Sequence, residues 1–273
     1  MSEQGVRTHV ATPVAVRSML VSSTVAFVLG QSIIIMLHEG AHTVAGRLLG
    51  YGATQLTGQV RFTPEPTATS AVVTIAMAGP LFSIASGLVA MRFRPFRGHG
   101  FAQLLWIWMA FLSAEEGFGY FFIAPIIQAG DTGTALAALA APAWLGWLCG
   151  VVGVAGLIFL ARRFAVRGAR HTRDVYEMRA FCYHPWIIGT VSLVLLTALY
   201  LLLTQGTSGD AAFAILFGSA SLGVFAPMAM IWWDKVSPEK EMLELRMPRA
   251  GLVALAVLVL VNLLVLTRGL QIG

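Results

Sequence analysis

The sequence predicts an all-α polytopic membrane protein with about seven transmembrane helices and a possible short β-hairpin after the first. Three observations carry this. Of 273 residues, 57% are hydrophobic and 11% charged, well below the ~25% charged share usual where a surface faces water. The apolar residues come in blocks of about 20, the length of α-helix that crosses ~30 Å of hydrocarbon. Barrel strands would alternate over ~10 residues instead. The basic residues gather between the blocks and sort to one side of the membrane.

The first block runs from Val16 to Leu49, too long for one simple crossing, with an interfacial start near Arg17 and an end beyond the hydrocarbon. The others are Ala71 to Met91, Phe101 to Gln128, Trp144 to Leu160, Trp186 to Leu203, Ala211 to Trp233, and Gly251 to Leu266. With seven crossings, one side holds Arg7, Arg17, Arg92, Arg94 and Arg97, the segment Arg162 to Arg179 with its six arginines, and Lys235, Lys240, Arg246 and Arg249. The other keeps only Arg47, Arg61 and Arg268. By the positive-inside rule the N-terminus is cytoplasmic and the C-terminus outside, most simply in the cell membrane. This placement also accounts for the net charge of +5 without nucleic acid, which is excluded as a partner. Cys149 and Cys182 give neither a disulfide framework nor a paired-cysteine zinc site. The opening residues lack a small-residue cleavage site, so no removable signal peptide is expected.

Chemistry concentrates in the first block, at His38-Glu39-Gly40-Ala41-His42. Histidines four residues apart share a helical face and can bind one Zn²⁺. The glutamate between them can act as general base on water. Three ionisable residues in one turn of a membrane helix are costly and mark function. A third ligand is required. Asp131 leads on topology, because the first and third blocks run in the same direction and Pro125 and Gly130 can bend the backbone inward. Glu116 or Glu115, near mid-bilayer, is the alternative, and Asp174, Asp210 and Asp234 sit in or near later loops.

Three stretches in order resemble the site-2 protease family of intramembrane zinc metalloproteases. IIIMLHEGAHTVAGRLLG is similar to the family's motif helix, and AMAGPLFSIASGL to its Gly-Pro helix, with Gly79 and Pro80 in place. Ala124 to Asp131 resembles the segment whose aspartate is the third zinc ligand. The resemblance implies a metalloprotease-like core over 14–142, followed by C-terminal helices of unassigned role over 143–273. It implies zinc on His38, His42 and Asp131, Glu39 as catalytic base, and a membrane-protein substrate cut in or near its membrane segment. It also makes Tyr51 to Ser70 a candidate hairpin offering an edge to an extended substrate; the alternative is a short polar loop ended by Pro64 and Pro66.

Ser83 and Phe122 stand where the family has asparagines, and Thr132 replaces a glycine. The charge sorting also sends the motif helix outward, opposite to the family's usual direction. A non-proteolytic scaffold of the same fold, or a transporter using the histidines and Glu115 or Glu116 as a relay, are the alternatives. Farther on, Pro227 is expected to kink its span, Asn262 to bond a neighbouring helix, and 162–179 to form a basic loop.

Overall fold

The computed structural model describes residues 12–127, 130–204, 209–220 and 222–272. Arg7, counted above, and Gln128, the expected end of the third span, lie outside the described residues. Five helices are long and apolar enough to cross a membrane, or six if one bent pair forms a single span. The burial pattern agrees with embedding in lipid. Large apolar side chains such as Trp144, Trp147, Leu195 and Leu202 point outward, where a water-soluble monomer would form only small patches of them.

α1 (Pro13–Leu48) is one uninterrupted helix of 36 residues, about 54 Å long at 1.5 Å per residue. Thr12 caps its first turn and Pro13 opens it, since proline's missing N–H costs nothing there. Residues 51–70 form the hairpin rather than the polar loop. β1 (Gly52–Leu56) pairs antiparallel with β2 (Gln59–Thr63), with Gly52 opposite Thr63. The turn contains Gly58 at φ +72, a conformation glycine adopts freely. Phe62 lies against Gly46 so closely that a Cβ there would meet the ring. This contact ties the hairpin to the end of α1.

α2 (Thr69–Ala90) and α3 (Gly100–Ile127) pack against α1 and against each other. α4 (Gly130–Ala138) turns 56° away from α3 and packs back on α2. α5 (Ala143–His171) lies along α3. Gly153 allows this approach, because its Cβ would fall 2.4 Å from the backbone N of Phe122. α5 carries Arg162 to Arg170 as helix, so the basic segment expected as a loop is largely helical: its lipid-like apolar run simply continues into a polar last turn.

α6 (Val175–Met178), a π-helical turn (Arg179–Tyr183) and α7 (His184–Leu203) make the next long span. The segment expected as one helix over 211–233 is instead α8 (Gly209–Ala220) and the short α9 (Phe225–Ala229), with Gly223 at φ +75 between them. The broken turn is sealed from outside the segment. The Glu115 carboxylate accepts from Gly223 N at 2.6 Å and Val224 N at 2.9 Å, while the Trp186 indole donates to Leu222 O. Pro227 lies inside α9, past the break; it has no N–H to bond Gly223 O.

α10 (Arg249–Val261) passes into a π-helical turn (Asn262–Leu266) and then β3 (Leu270–Ile272). Asn262 donates to Leu258 O of its own helix, not to a neighbour. β3 pairs with β1, giving the sheet order β2-β1-β3. At the opposite end of the bundle, Glu241 meets Arg94, Arg97 and Arg170, and Ser22 donates to Arg246 O. α10 therefore runs the same way as α1. α8 and α9 carry the chain back from the end reached by α7.

The core lies between α1, α3, α5 and α9. Trp108 is fully buried among Phe27, Phe111, Phe164, Phe181 and Phe225. Its indole donates to Ser23 Oγ, and Ser23 to Phe181 O. This core joins the stretches on both sides of residue 143.

Candidate metal centre

One face of α1 turns His38 and His42 inward, with Nε2 atoms 3.1 Å apart. Asp131, in the first turn of α4, brings Oδ2 to 2.9 Å from His38 Nε2 and 3.1 Å from His42 Nε2. Gly130, at φ +72, makes the turn that aims it there. These three can hold a metal ion. A point about 1 Å above the plane of such a triangle is roughly 2.0 Å from each donor, the length of a zinc bond to nitrogen or oxygen.

Each imidazole is fixed by its other nitrogen. His42 Nδ1 lies 2.7 Å from Ile75 O, which can only accept, so the proton is assigned to Nδ1. His38 Nδ1 lies 3.0 Å from Ser83 Oγ. With protons on Nδ1, both rings turn the Nε2 lone pair toward Asp131, the tautomer that metal binding requires.

α2 supplies this support through one face, since Ile75, Gly79 and Ser83 are four residues apart. Gly79 is the closest approach. A Cβ there would lie 2.3 Å from His42 Nε2 and 2.5 Å from His38 Nε2. Pro80 follows within the helix. It has no N–H for Ala76 O and loosens the turn that offers Ile75 O to His42.

Glu39 is buried on α1 and lines a cavity of about 890 Å³ that also reaches His42 and Asp131. β2 forms one wall, from Gln59 to Phe62, and Ile75, Ile123 and Leu157 supply apolar surface. Tyr120 stacks on His38 with ring centroids 5.1 Å apart.

Of the residues singled out from sequence, the fold brings His38, Glu39, His42 and Asp131 to one place. Glu116 takes a 2.6 Å hydrogen bond from Gln31 Nε2 and does not belong to the three-residue cluster. Glu115 is occupied by the break between α8 and α9. Asp174 caps α6, and Asp234 sits in a 3₁₀ turn (Trp233–Lys235). The side chain of Asp210 lies outside the described residues.

Sequence reasoning missed Tyr120 and Gln31, and it read Ser83 only as a departure. The four-residue spacing of Ser83 from Gly79, and of Tyr120 from Glu116, was the available signal.

Comparison with family models, with curated proteins and with solved structures finds no match for this chain.

Proposed function

We propose that the protein is an intramembrane zinc metalloprotease of the site-2 protease kind. The observation that carries this reading is the convergence of His38, His42 and Asp131 beside Glu39, on a cavity large enough for an extended peptide. His38 and His42 would hold zinc through Nε2, and Asp131 through its carboxylate. When bound, the ion supplies a Lewis acid that acidifies water and polarises a carbonyl.

Glu39 takes the proton of the water as its oxygen adds to the scissile carbonyl. It then delivers that proton to the amide nitrogen as the C–N bond breaks, giving a carboxylic acid and an amine, which part as carboxylate and ammonium once the acid's proton passes to the amine. Ser83 and Ile75 O hold the imidazoles with Nε2 directed at the ion's position, so that with zinc held there neither ring would be free to take this proton. β2 borders the space where the substrate must lie unwound, because helical hydrogen bonding shields its carbonyls.

Seven crossings follow in this reading if α8 and α9 together make the sixth, its break satisfied by Glu115 as a broken membrane helix requires. The charge bias then puts the N-terminus in the cytoplasm of a cell-membrane protein and the centre toward the outer face. A relay through Glu115 is disfavoured, because its carboxylate is committed to two backbone N–H groups.

The test is zinc content and hydrolysis of synthetic transmembrane peptides by purified protein in liposomes. Wild type should hold about one zinc per chain. His42→Ala and Asp131→Ala should lose it, while Glu39→Gln should keep zinc and lose cleavage. Normal hydrolysis by Glu39→Gln would refute the mechanism; zinc without any hydrolysis would leave a metal-binding scaffold.

A further inference from the structure

Glu116 is a cavity-lining carboxylate that the proposed chemistry does not use. It lies on α3 one turn before Tyr120, the ring stacked on His38, so it sits about 6 Å deeper along the helix than that ring. Gln31 of α1 is fully buried and holds one oxygen of Glu116 at 2.6 Å. Among the described residues, no partner lies within hydrogen-bonding distance of the Gln31 Oε1. Glu116 itself is half-buried and lines the cavity while the Gln31 bond holds one oxygen in place. The described lining of the cavity is rich in acids: Glu39, Glu65, Glu115 and Asp131 share it with Glu116, against Arg61 on β2 and His42.

We propose that Glu116 is a specificity-determining residue that reads a lysine or arginine side chain in the membrane segment entering the cavity. This deepens the proteolytic reading by naming the class of segment received. A basic side chain within a membrane span is unfavourable in lipid and is stabilised by a carboxylate inside the protein.

The experiment measures binding separately from turnover. Full-length protein carrying Glu39→Gln, in lipid nanodiscs, is titrated with a fluorescent leucine-alanine peptide of about 20 residues. The peptide carries one lysine moved along its length, or norleucine at the same position. At the responsive positions lysine should bind at least about tenfold more tightly than norleucine. Adding Glu116→Gln should bring that ratio to about one, whereas Glu116→Asp, which keeps the charge, should retain a preference.

No lysine preference at any position would overturn the proposal, as would a preference that persists in Glu116→Gln. The same holds if Glu116→Asp behaves like Glu116→Gln. Loss of zinc from Glu116→Gln would make the residue a metal ligand and also overturn it. A Glu116-dependent lysine preference, with no hydrolysis by the protein bearing native Glu39, would refute the proteolytic reading and leave this inference standing.

Discussion

Two polar clusters, one at the middle of α2 and one past its C-terminal end, are made of similar groups and put together on opposite principles. At the metal centre His38, His42 and Asp131 turn acceptor atoms toward one another, and the supporting bonds come from outside, through Ser83 and Ile75 O. Past the C-terminal end of α2 the charged groups instead pair with one another and with backbone carbonyls. Arg94, Arg97 and Arg170 surround Glu241, Arg167 donates to Met91 O, and Lys240 donates to Ala169 O and Thr172 O. Converging lone pairs repel unless a cation or proton lies among them, so the first arrangement is built for a guest. The second ties helix ends together and needs none. Glu115 follows the second pattern, although it is buried in the helix bundle and lines the cavity.

The comparison is broken most severely at Gly79. Gly79→Ala inserts a Cβ between the imidazoles and should reduce bound zinc as far as loss of a ligand does, read by metal content after gel filtration. Glu115→Ala leaves the Gly223 and Val224 N–H groups unpaired in a buried turn. It should cost about 2–5 kcal/mol in detergent unfolding, with zinc retained in the protein that remains folded. Ser83→Ala frees one side of His38 and should weaken zinc affinity by about 10–100-fold, seen in chelator competition.

The smallest effect belongs to Glu241. Partial burial raises its pKa, but the Gln103 hydrogen bond and the charges of Arg97, His171 and Arg94 outweigh this and hold it below the ordinary carboxylate value. Its contribution is present above the unfolded pKa of about 4.3 and is lost as pH falls through the lowered native value. Glu241→Gln should flatten the acid side of the stability profile by less than about 1 kcal/mol, leaving zinc content unchanged. A fall in zinc there would show the clusters to be coupled.

The sequence by itself determined what depends on local spacing and composition. Blocks of about 20 apolar residues dictate spanning helices, because lipid leaves the backbone no other partners. His38, Glu39 and His42 share a face because the helix repeats every 3.6 residues. The hairpin within 51–70 was legible only as one of two readings, and the family resemblance rather than a local turn signal carried it. The choice between Asp131 and Glu116 depended on where α3 ends and how α4 turns back, which helix periodicity does not encode.

Only the tertiary structure decided the break between α8 and α9. Leu222 to Val224 look like continuous apolar helix until Glu115, more than a hundred residues earlier, supplies the acceptor their N–H groups need. It likewise turned Ser83 from a departure into the support of His38, and separated two adjacent glutamates into a backbone cap and a cavity wall. Side-chain partners across helices depend on packing distance, and a one-dimensional pattern carries no record of that.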